Sequence, residues 1–304
     1  MERATLDKRA RERMLPTLVG AGVPSLTGWG EVISVFSNAV NARHRRGFLV
    51  SLVDETRAMT YLSVCVPALF RNQKKRLVPG DRIRFDGHHL GTEDFVVDLL
   101  RRPTWQGTLT LKDVRGFDAS KVSLLKDGLL LKGREGGFLG LLRRDGTNNP
   151  FVDKAIQVLR GVQKAPSQAA RLKVLSGLVG LGPGSTPSGD DFITGVLLGE
   201  EALKLLLSTE AKAVADRREP MIPCSKNKED LWLAINRTSD AGKTLLWQAL
   251  QGRFPNYLIE TVRSISDAEG KQEIVDAVEK AVGRGATSGT DALTGFLFST
   301  EGRL

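Results

Sequence analysis

The sequence predicts an α+β fold, with a β-rich, sandwich- or barrel-like domain over residues 1–130 followed by a mainly α-helical domain over residues 131–304. Three observations support this prediction. Short apolar runs between turn residues fill the first domain, as is typical of a small sandwich or barrel. Apolar residues recur at helical spacing from about residue 149 onward. The segment 112–148 between these patterns is rich in glycine and charge, and we place the domain boundary inside it.

The predicted strands are short runs of strand-forming residues. Pro67 ends one of them, because proline has no backbone N–H to donate to a sheet. The turn signal Pro79-Gly80-Asp81 precedes another, in which polar and apolar residues alternate. The predicted strands cover residues 47–53, 60–66, 82–85, 95–100 and 108–111.

The predicted helices begin with a start signal at Asn149, a favourable N-cap, followed by Pro150 at the first helical position. Ser266 and Glu269 match a capping box that opens a later helix. Charged residues interrupt the most apolar segment, 192–207, so we expect a buried core helix there and not a membrane span. Further helical stretches lie at residues 172–179, 245–250, 257–262 and 289–298.

The composition is that of a globular protein with a basic balance. Of 304 residues, 41% are hydrophobic and 26% are charged, which excludes wholesale disorder and a membrane bundle. The formal net charge of +9 fits an acidic partner, such as a small anion, nucleic acid or a membrane surface, or simply a basic surface. Aromatic residues make up only 6% and do not interleave with the basic clusters, which argues against nucleic-acid binding. No apolar stretch is long enough to cross a bilayer, so we expect no membrane partner.

The cysteines and the N-terminal segment predict a cytoplasmic protein. Cys65 and Cys224 form no Cys-x-x-Cys motif, which fits free thiols in a reducing compartment. The charged N-terminal segment lacks the apolar run of a secretory signal. His88 and His89 lie beside acidic residues, but adjacent side chains diverge and no third histidine is near. We therefore predict no metal site at these histidines.

One segment, GLGPGSTPSGDDFITG at residues 180–195, has the composition of a binding loop. Its glycines permit unusual backbone geometries, and its hydroxyls and free backbone N–H groups lie at a helix start, where anions are favoured. Asp190 and Asp191 would repel an anion, so they suit a metal ion that bridges to phosphate, or a base or orienting group beside an amide-like ligand. A plain helix–loop–helix turn, capped by Ser188 or Asp190, is the alternative. The candidate anion-binding residues of this segment are Gly182, Gly184, Ser185, Thr186, Ser188 and Gly189.

An internal repeat of this segment lies near the C-terminus, at residues 283–295. With Pro187 omitted, both copies read G-x-G-x-T-S-G-x-D-x-φ-T-G, where φ is apolar. The simplest interpretation is two related helix starts that pack around a pseudo-twofold axis and line one cleft, although packing symmetry alone would also explain the repeat. The second copy adds the candidate binding residues Gly285, Thr287, Ser288 and Gly289, and the candidate catalytic residue Asp291.

A third hydroxyl-rich helix start precedes the helical stretch 245–250. Its candidate binding residues are Arg237, Thr238 and Ser239. The guanidinium of Arg237 suits a carboxylate held through two parallel hydrogen bonds. A plain N-cap explains this stretch equally when it is considered alone.

The segment 180–195 resembles the signature GLGxGLTPSGDD of a family that includes the AllH-type subunit of oxamate carbamoyltransferase. Ser185 stands where that family usually has an apolar residue. The stretch around Thr238 and Ser239 looks like the family's second block, a hydroxyl-rich helix start. The N-terminal strands fit the family's length and order but carry no distinctive motif.

The resemblance implies a subunit that works with other subunits of a hetero-oligomer in purine and allantoin catabolism, converting oxalurate and phosphate to oxamate and carbamoyl phosphate. It does not identify the catalytic subunit. We take Asp190, Asp191 and Asp291 as candidate catalytic residues that orient hydrogen-bond donors or hold a divalent or monovalent cation with phosphate. Two alternatives stay open: a non-catalytic regulatory or scaffold subunit that binds a metabolite or nucleotide, and a basic nucleic-acid-binding protein.

Overall fold

The computed structural model describes residues 12–71, 77–143, 149–214 and 229–301. The chain divides into two compact units, Met1–Gln106 and Gly107–Leu304. The first is β-rich and the second is mainly helical, which confirms the predicted α+β class. The division falls earlier than the boundary predicted between residues 130 and 131, because two helices between residues 111 and 132 belong to the second unit.

The described strands of the first unit form one mixed sheet, in the order β1-β9-β8-β7-β3-β4-β5-β6-β2-β10. β3 pairs antiparallel with both β4 and β7, whereas β5 and β6 pair in parallel. A short helix, α1 (Pro67–Arg71), follows β6. The strands are β1 (Glu12–Met14), β2 (Leu18–Gly20), β3 (Thr27–Val35), β4 (Ala39–His44), β5 (Leu49–Val53), β6 (Ser63–Cys65), β7 (Arg82–Asp86), β8 (His89–Gly91), β9 (Phe95–Asp98) and β10 (Thr104–Trp105).

Four of the five predicted strands are confirmed, as β5, β6, β7 and β9. The strand predicted at residues 108–111 is wrong. Thr110 caps a helix there, and the Asp113 carboxylate accepts hydrogen bonds from Thr110 N at 2.8 Å and Thr110 Oγ1 at 2.6 Å. This local capping box outweighs the alternating pattern, because it provides a partner for a backbone N–H at the helix start. The long strand β3 was not predicted, because Gly28 and Gly30 interrupt its apolar pattern.

The second unit is an assembly of helices whose most extensively packed pair consists of α7 and α12. Phe192 of the former and Phe296 of the latter are fully buried. Among the described residues, no helix is both long enough and apolar enough to cross a membrane. The helices are α2 (Leu111–Val114), α3 (Ala119–Lys132), α4 (Gly140–Arg143), α5 (Pro150–Lys164), α6 (Gln168–Leu175), α7 (Ser188–Val214), α8 (Glu229–Ala234), α9 (Asp240–Leu250), α10 (Asn256–Asp267), α11 (Lys271–Val282) and α12 (Ser288–Thr300).

The start signal at Asn149 is confirmed, since its side chain accepts a hydrogen bond from Phe151 N at 3.0 Å. The capping box predicted at Ser266 and Glu269 is wrong. Ser266 belongs to the last turn of α10, and its Oγ accepts a hydrogen bond from Gly116 N at 3.0 Å. A tertiary contact therefore uses the hydroxyl that the sequence pattern assigned to a helix start.

Candidate functional site

The candidate site is built on the close packing of α7 against α12. A Cβ atom added at Gly195 would lie 1.8 Å from the carbonyl oxygen of Ala292, and one added at Gly295 would lie 2.0 Å from that of Phe192. A glycine of each helix therefore contacts the backbone of the other helix, and these two glycines occupy equivalent positions of the repeat. Such an approach is possible only where no side chain intervenes.

The two helices run in the same direction. One turn after Gly195, Gly199 of α7 approaches Ser299 of α12, whose Oγ would lie 1.9 Å from an added Cβ. The N-termini of both helices therefore lie side by side. Thr186 Oγ1 and Ser288 Oγ are 3.1 Å apart and share a hydrogen bond. Two parallel helix starts place two partial positive charges at one end of the pair. Some of their backbone N–H groups already have acceptors, since Gly189 N donates to Leu181 O at 2.8 Å and Gly289 N donates to Arg284 O at 3.3 Å.

Each helix start also rests on the segment that precedes it. A Cβ atom at Gly189 would lie 1.9 Å from Leu178 O, and one at Gly289 would lie 1.9 Å from Ala281 O. The loops that lead into the helices contain glycines with positive φ, at 105° for Gly182, 102° for Gly184 and 61° for Gly285. Side chains disfavour these conformations, so the loop shapes depend on glycine.

Asp191 and Asp291 lie beneath the paired helix starts and are only 3% and 0% exposed, respectively. Burial raises the pKa of Asp191 well above 3.8, and the nearby carboxylates of Asp291 and Asp190 raise it further. Burial also raises the pKa of Asp291, against the hydrogen bond that its Oδ1 accepts from Phe138 N at 2.6 Å. A raised pKa shifts each carboxyl toward its neutral form, which has no charge to repel an anion.

Three buried polar atoms at this point have no hydrogen-bond partner among the described residues. They are Asp191 Oδ2, Asp291 Oδ2 and Ser188 Oγ. Buried polar groups in folded proteins are almost always paired, so unpaired atoms here need an explanation. These unpaired atoms mark the point between the helix starts as the candidate site.

Tyr257 and Arg284 lie within electrostatic reach of this carboxyl pair, although the sequence analysis did not select them. Burial raises the pKa of Tyr257, the Asp191 carboxylate raises it further, and Arg284 opposes this increase. The phenol thus stays protonated and available as a donor. Arg284 follows the first glycine of the second repeat copy and could have been chosen from the sequence, whereas nothing around Tyr257 on α10 marked it.

Asp190 has a different environment from its neighbour Asp191. Its Oδ1 accepts a hydrogen bond from Gly180 N at 2.8 Å, and its Oδ2 accepts one from Thr238 Oγ1. Burial raises the pKa of Asp190 to about 6, and these two donors limit the rise. Both of its oxygens are thus occupied in joining the glycine-rich loop to the start of α9, so the geometry supports a positioning role more than the predicted catalytic one.

The third helix start meets the same loop. Ser239 caps α9 by accepting a hydrogen bond from Gly242 N at 3.0 Å, and its hydroxyl donates to the carbonyl oxygen of Ser185. Arg237 donates to the carbonyl oxygen of Ser176 at 2.6 Å. This contact gives Arg237 one backbone partner, and its role toward the carboxylate of a ligand stays a prediction. Thr287, the N-cap residue of α12, accepts a backbone hydrogen bond from Asp291 N at 2.9 Å.

Among the described residues, no group of three or more His, Cys, Asp or Glu side chains is arranged to hold a metal ion. His89 instead faces Asp86, with 3.3 Å between Nδ1 and Oδ2. Cys65 is buried in the first unit, and Cys224 lies outside the described residues.

Comparison with known families gives a match over residues 178–300. The matching family model is that of the oxamate carbamoyltransferase subunit AllH. The AllH match includes both copies of the repeat and the start of α9, which confirms the resemblance found in the sequence. Residues 1–177 lie outside the AllH match. Comparisons with curated proteins and with solved structures gave no match.

Proposed function

We propose that this chain is a subunit of an oxamate carbamoyltransferase-like enzyme, and that the paired N-termini of α7 and α12 bind its anionic ligand. The proposed reaction converts oxalurate and phosphate to oxamate and carbamoyl phosphate, in allantoin and purine catabolism. Other subunits of a hetero-oligomer would complete the enzyme. The match of residues 178–300 to AllH supports the class of enzyme.

The observation that carries the binding proposal is the side-by-side arrangement of two helix starts, with Thr186 Oγ1 and Ser288 Oγ 3.1 Å apart. Phosphate, oxalurate and carbamoyl phosphate are all anions. The positive ends of two helix dipoles favour such ligands. The raised pKa values of Asp191 and Asp291 reduce the repulsion that two fully ionised carboxylates would cause, and Arg284 adds a positive charge nearby.

The reaction itself needs two kinds of group at this point. A phosphate oxygen attacks the carbamoyl carbon of oxalurate, the bond from that carbon to the nitrogen of the oxamate part breaks, and this nitrogen takes up a proton as oxamate leaves. Backbone N–H groups aimed at the carbamoyl oxygen would stabilise the charge that develops there. Asp191 or Asp291, whose pKa values burial raises, would supply the proton.

Calorimetry on the intact chain tests the binding proposal, with phosphate, oxalurate and carbamoyl phosphate as ligands. Gly184→Val should abolish binding, because Gly184 has a φ of 102° that a β-branched residue does not tolerate. Gly252→Val is the matched control. Gly252 also has a positive φ, at 69°, and an added Cβ would meet nothing within 4 Å, so this variant carries similar strain away from the helix starts.

Unchanged affinity in Gly184→Val would contradict the proposed site. Equal loss in both variants would show that strain anywhere in the unit, and not the loop shape, controls binding. Carbamoyl phosphate formation should appear only when the binding-competent chain is present with its partner subunits. Binding without any such contribution to turnover would instead favour a non-catalytic regulatory or scaffold subunit.

A further inference from the structure

The unpaired oxygens of Asp191 and Asp291 distinguish this site from a plain anion cradle. Asp191 Oδ2 and Asp291 Oδ2 are both buried acceptors without a donor among the described residues. An anion does not satisfy a carboxylate oxygen that carries no proton, because phosphate and carboxylate oxygens bring acceptors and not donors. Leaving a buried acceptor unpaired costs more than its pairing gains, so the ligand should bring N–H or O–H groups to this point.

The two carboxyls are held so that they converge on the paired helix starts. Asp191 of α7 is near Ser288 of α12, and Asp291 of α12 is near Ser188 of α7. The hydrogen bond from Phe138 N to Asp291 Oδ1 fixes the orientation of that carboxyl and leaves Oδ2 unpaired. The chain also passes tightly over Asp291 at Gly137, where an added Cβ would lie 2.3 Å from Oδ1.

We propose that Asp191 and Asp291 determine substrate specificity by accepting the two N–H bonds of a terminal carbamoyl or primary amide group. This assignment rests on the proposed function and specifies which part of the ligand lies against the carboxyl pair. A primary amide nitrogen has two donors and no acceptor, which matches two unpaired acceptor oxygens. The carbonyl or anionic end of the same ligand then faces the backbone N–H groups and hydroxyls of the helix starts.

Isosteric ligand pairs test the proposal directly. Oxamate and pyruvate differ only in an amide nitrogen against a methyl group, and carbamoyl phosphate and acetyl phosphate differ in the same way. A site built to pair N–H groups rejects the analogue that lacks them, because its own polar atoms are then left unpaired. We expect the wild-type chain to bind the amide-bearing member of at least one pair about tenfold or more tighter than its methyl isostere.

Asp191→Asn and Asp291→Asn should reduce this preference to below about threefold, since one acceptor is replaced by an NH₂ donor in each variant. In Asp291→Asn the remaining side-chain oxygen can still accept from Phe138 N, so this variant keeps the local backbone contact. Asp153→Asn is the matched control: it removes a carboxylate from the first turn of α5, where Asp153 is exposed, and should leave the preference unchanged. Thermal unfolding of each variant shows whether the fold is retained.

The outcomes separate this inference from the function on which it rests. If phosphate, carbamoyl phosphate and oxamate all fail to bind the intact chain, the proposed function is overturned and this inference with it. If the anions bind but oxamate and pyruvate, and both acyl phosphates, bind equally, the carboxyl pair holds only water or a proton, and this inference alone is overturned. A preference that persists in both Asp→Asn variants also overturns it.

Discussion

The two copies of the repeat have the same helix starts but different attachments to the rest of the unit. Gly195 and Gly295 make reciprocal contacts with the opposite helix, and Thr194 Oγ1 and Thr294 Oγ1 each donate to the carbonyl four residues earlier, at 2.9 and 2.8 Å. The copies differ one position before the aspartate that both contain. The first copy has Asp190 there and the second has Thr290.

This difference separates two kinds of residue within one motif. Asp190 joins the glycine-rich loop to α9 through Gly180 N and Thr238 Oγ1, whereas Thr290 Oγ1 accepts a single hydrogen bond from Arg134 N at 3.0 Å. The residues identical in both copies form the crossing of α7 and α12 and the carboxyl pair. The residues that differ attach each copy to its own neighbours. The residues that are identical in both copies therefore indicate the candidate site better than the charged residues do on their own.

The largest effect is expected where the two copies press against each other. Gly195→Ala or Gly295→Ala places a Cβ within 2.0 Å of a backbone carbonyl, so the helices must separate and the unit should lose about 3 kcal/mol of unfolding free energy, the upper end of the usual cost of overpacking. Gly177→Ala is the control, because its added Cβ would meet Val158 at an ordinary 3.4 Å. Chemical denaturation measures both. Small losses of unfolding free energy, equal in the crossing variants and in the Gly177→Ala control, would show that α7 and α12 pack less closely than described.

The next effect tests the difference between the copies. Asp190→Ala leaves Gly180 N and Thr238 Oγ1 without their acceptor, and should cost ~2–3 kcal/mol of unfolding free energy. Thr290→Val keeps the side-chain shape and removes one acceptor, so about 1 kcal/mol is expected. Denaturation curves for the two variants give the comparison. A larger loss in Thr290→Val would reverse the assignment of Asp190 as the main attachment.

Local sequence patterns predicted much of the helical unit because its helices depend on nearby residues. Asn149 and Pro150 mark the start of α5, and the apolar segment 192–207 lies within α7. The patterns failed where a distant residue decides the outcome. Ser266 matched a capping box, yet its hydroxyl pairs with Gly116, which is 150 positions earlier in the chain.

The residues of the candidate site stay a prediction, and the sequence supplied only some of them for the same reason. The repeat identified Asp191, Asp291 and the hydroxyls around them, because two copies in one chain reveal which positions a shared geometry requires. Tyr257 was missed, since its position beside the carboxyl pair depends on how α10 packs and leaves no local signal. The sequence also did not show that Asp190 and Asp191 have different environments, because adjacent residues on a helix point in different directions.

Acidification should distinguish the helical unit from the sheet. Burial raises the pKa of Asp190 to about 6 from 3.8, so the folded state holds more protons than the unfolded state between these values. Its stability contribution is therefore present at low pH and lost as pH rises through about 6. Burial lowers the pKa of His44, in the sheet, below 6.5. The contribution of His44 to the free energy of unfolding is therefore present above pH 6.5 and is lost on acidification.

Hydrogen exchange measured by mass spectrometry resolves these opposite trends. Peptides of α7 should become more protected between about pH 7.5 and 5 after correction for intrinsic exchange, and peptides of β4 less protected. Asp190→Asn should weaken the trend in α7, because it removes one titrating group and leaves Asp191. Identical trends in the two regions would show that these buried groups do not control local stability.

The smallest effect concerns the direct contact between the copies. Thr186 Oγ1 and Ser288 Oγ share one hydrogen bond at 3.1 Å between partly exposed side chains, so their coupling should amount to about 0.5–1 kcal/mol. A double-mutant cycle of Thr186→Val and Ser288→Ala on unfolding free energy isolates it. Removing either hydroxyl alone should cost nearly as much as removing both. Fully additive losses would show that the helix starts are held together by the glycine crossing below them and not by this contact.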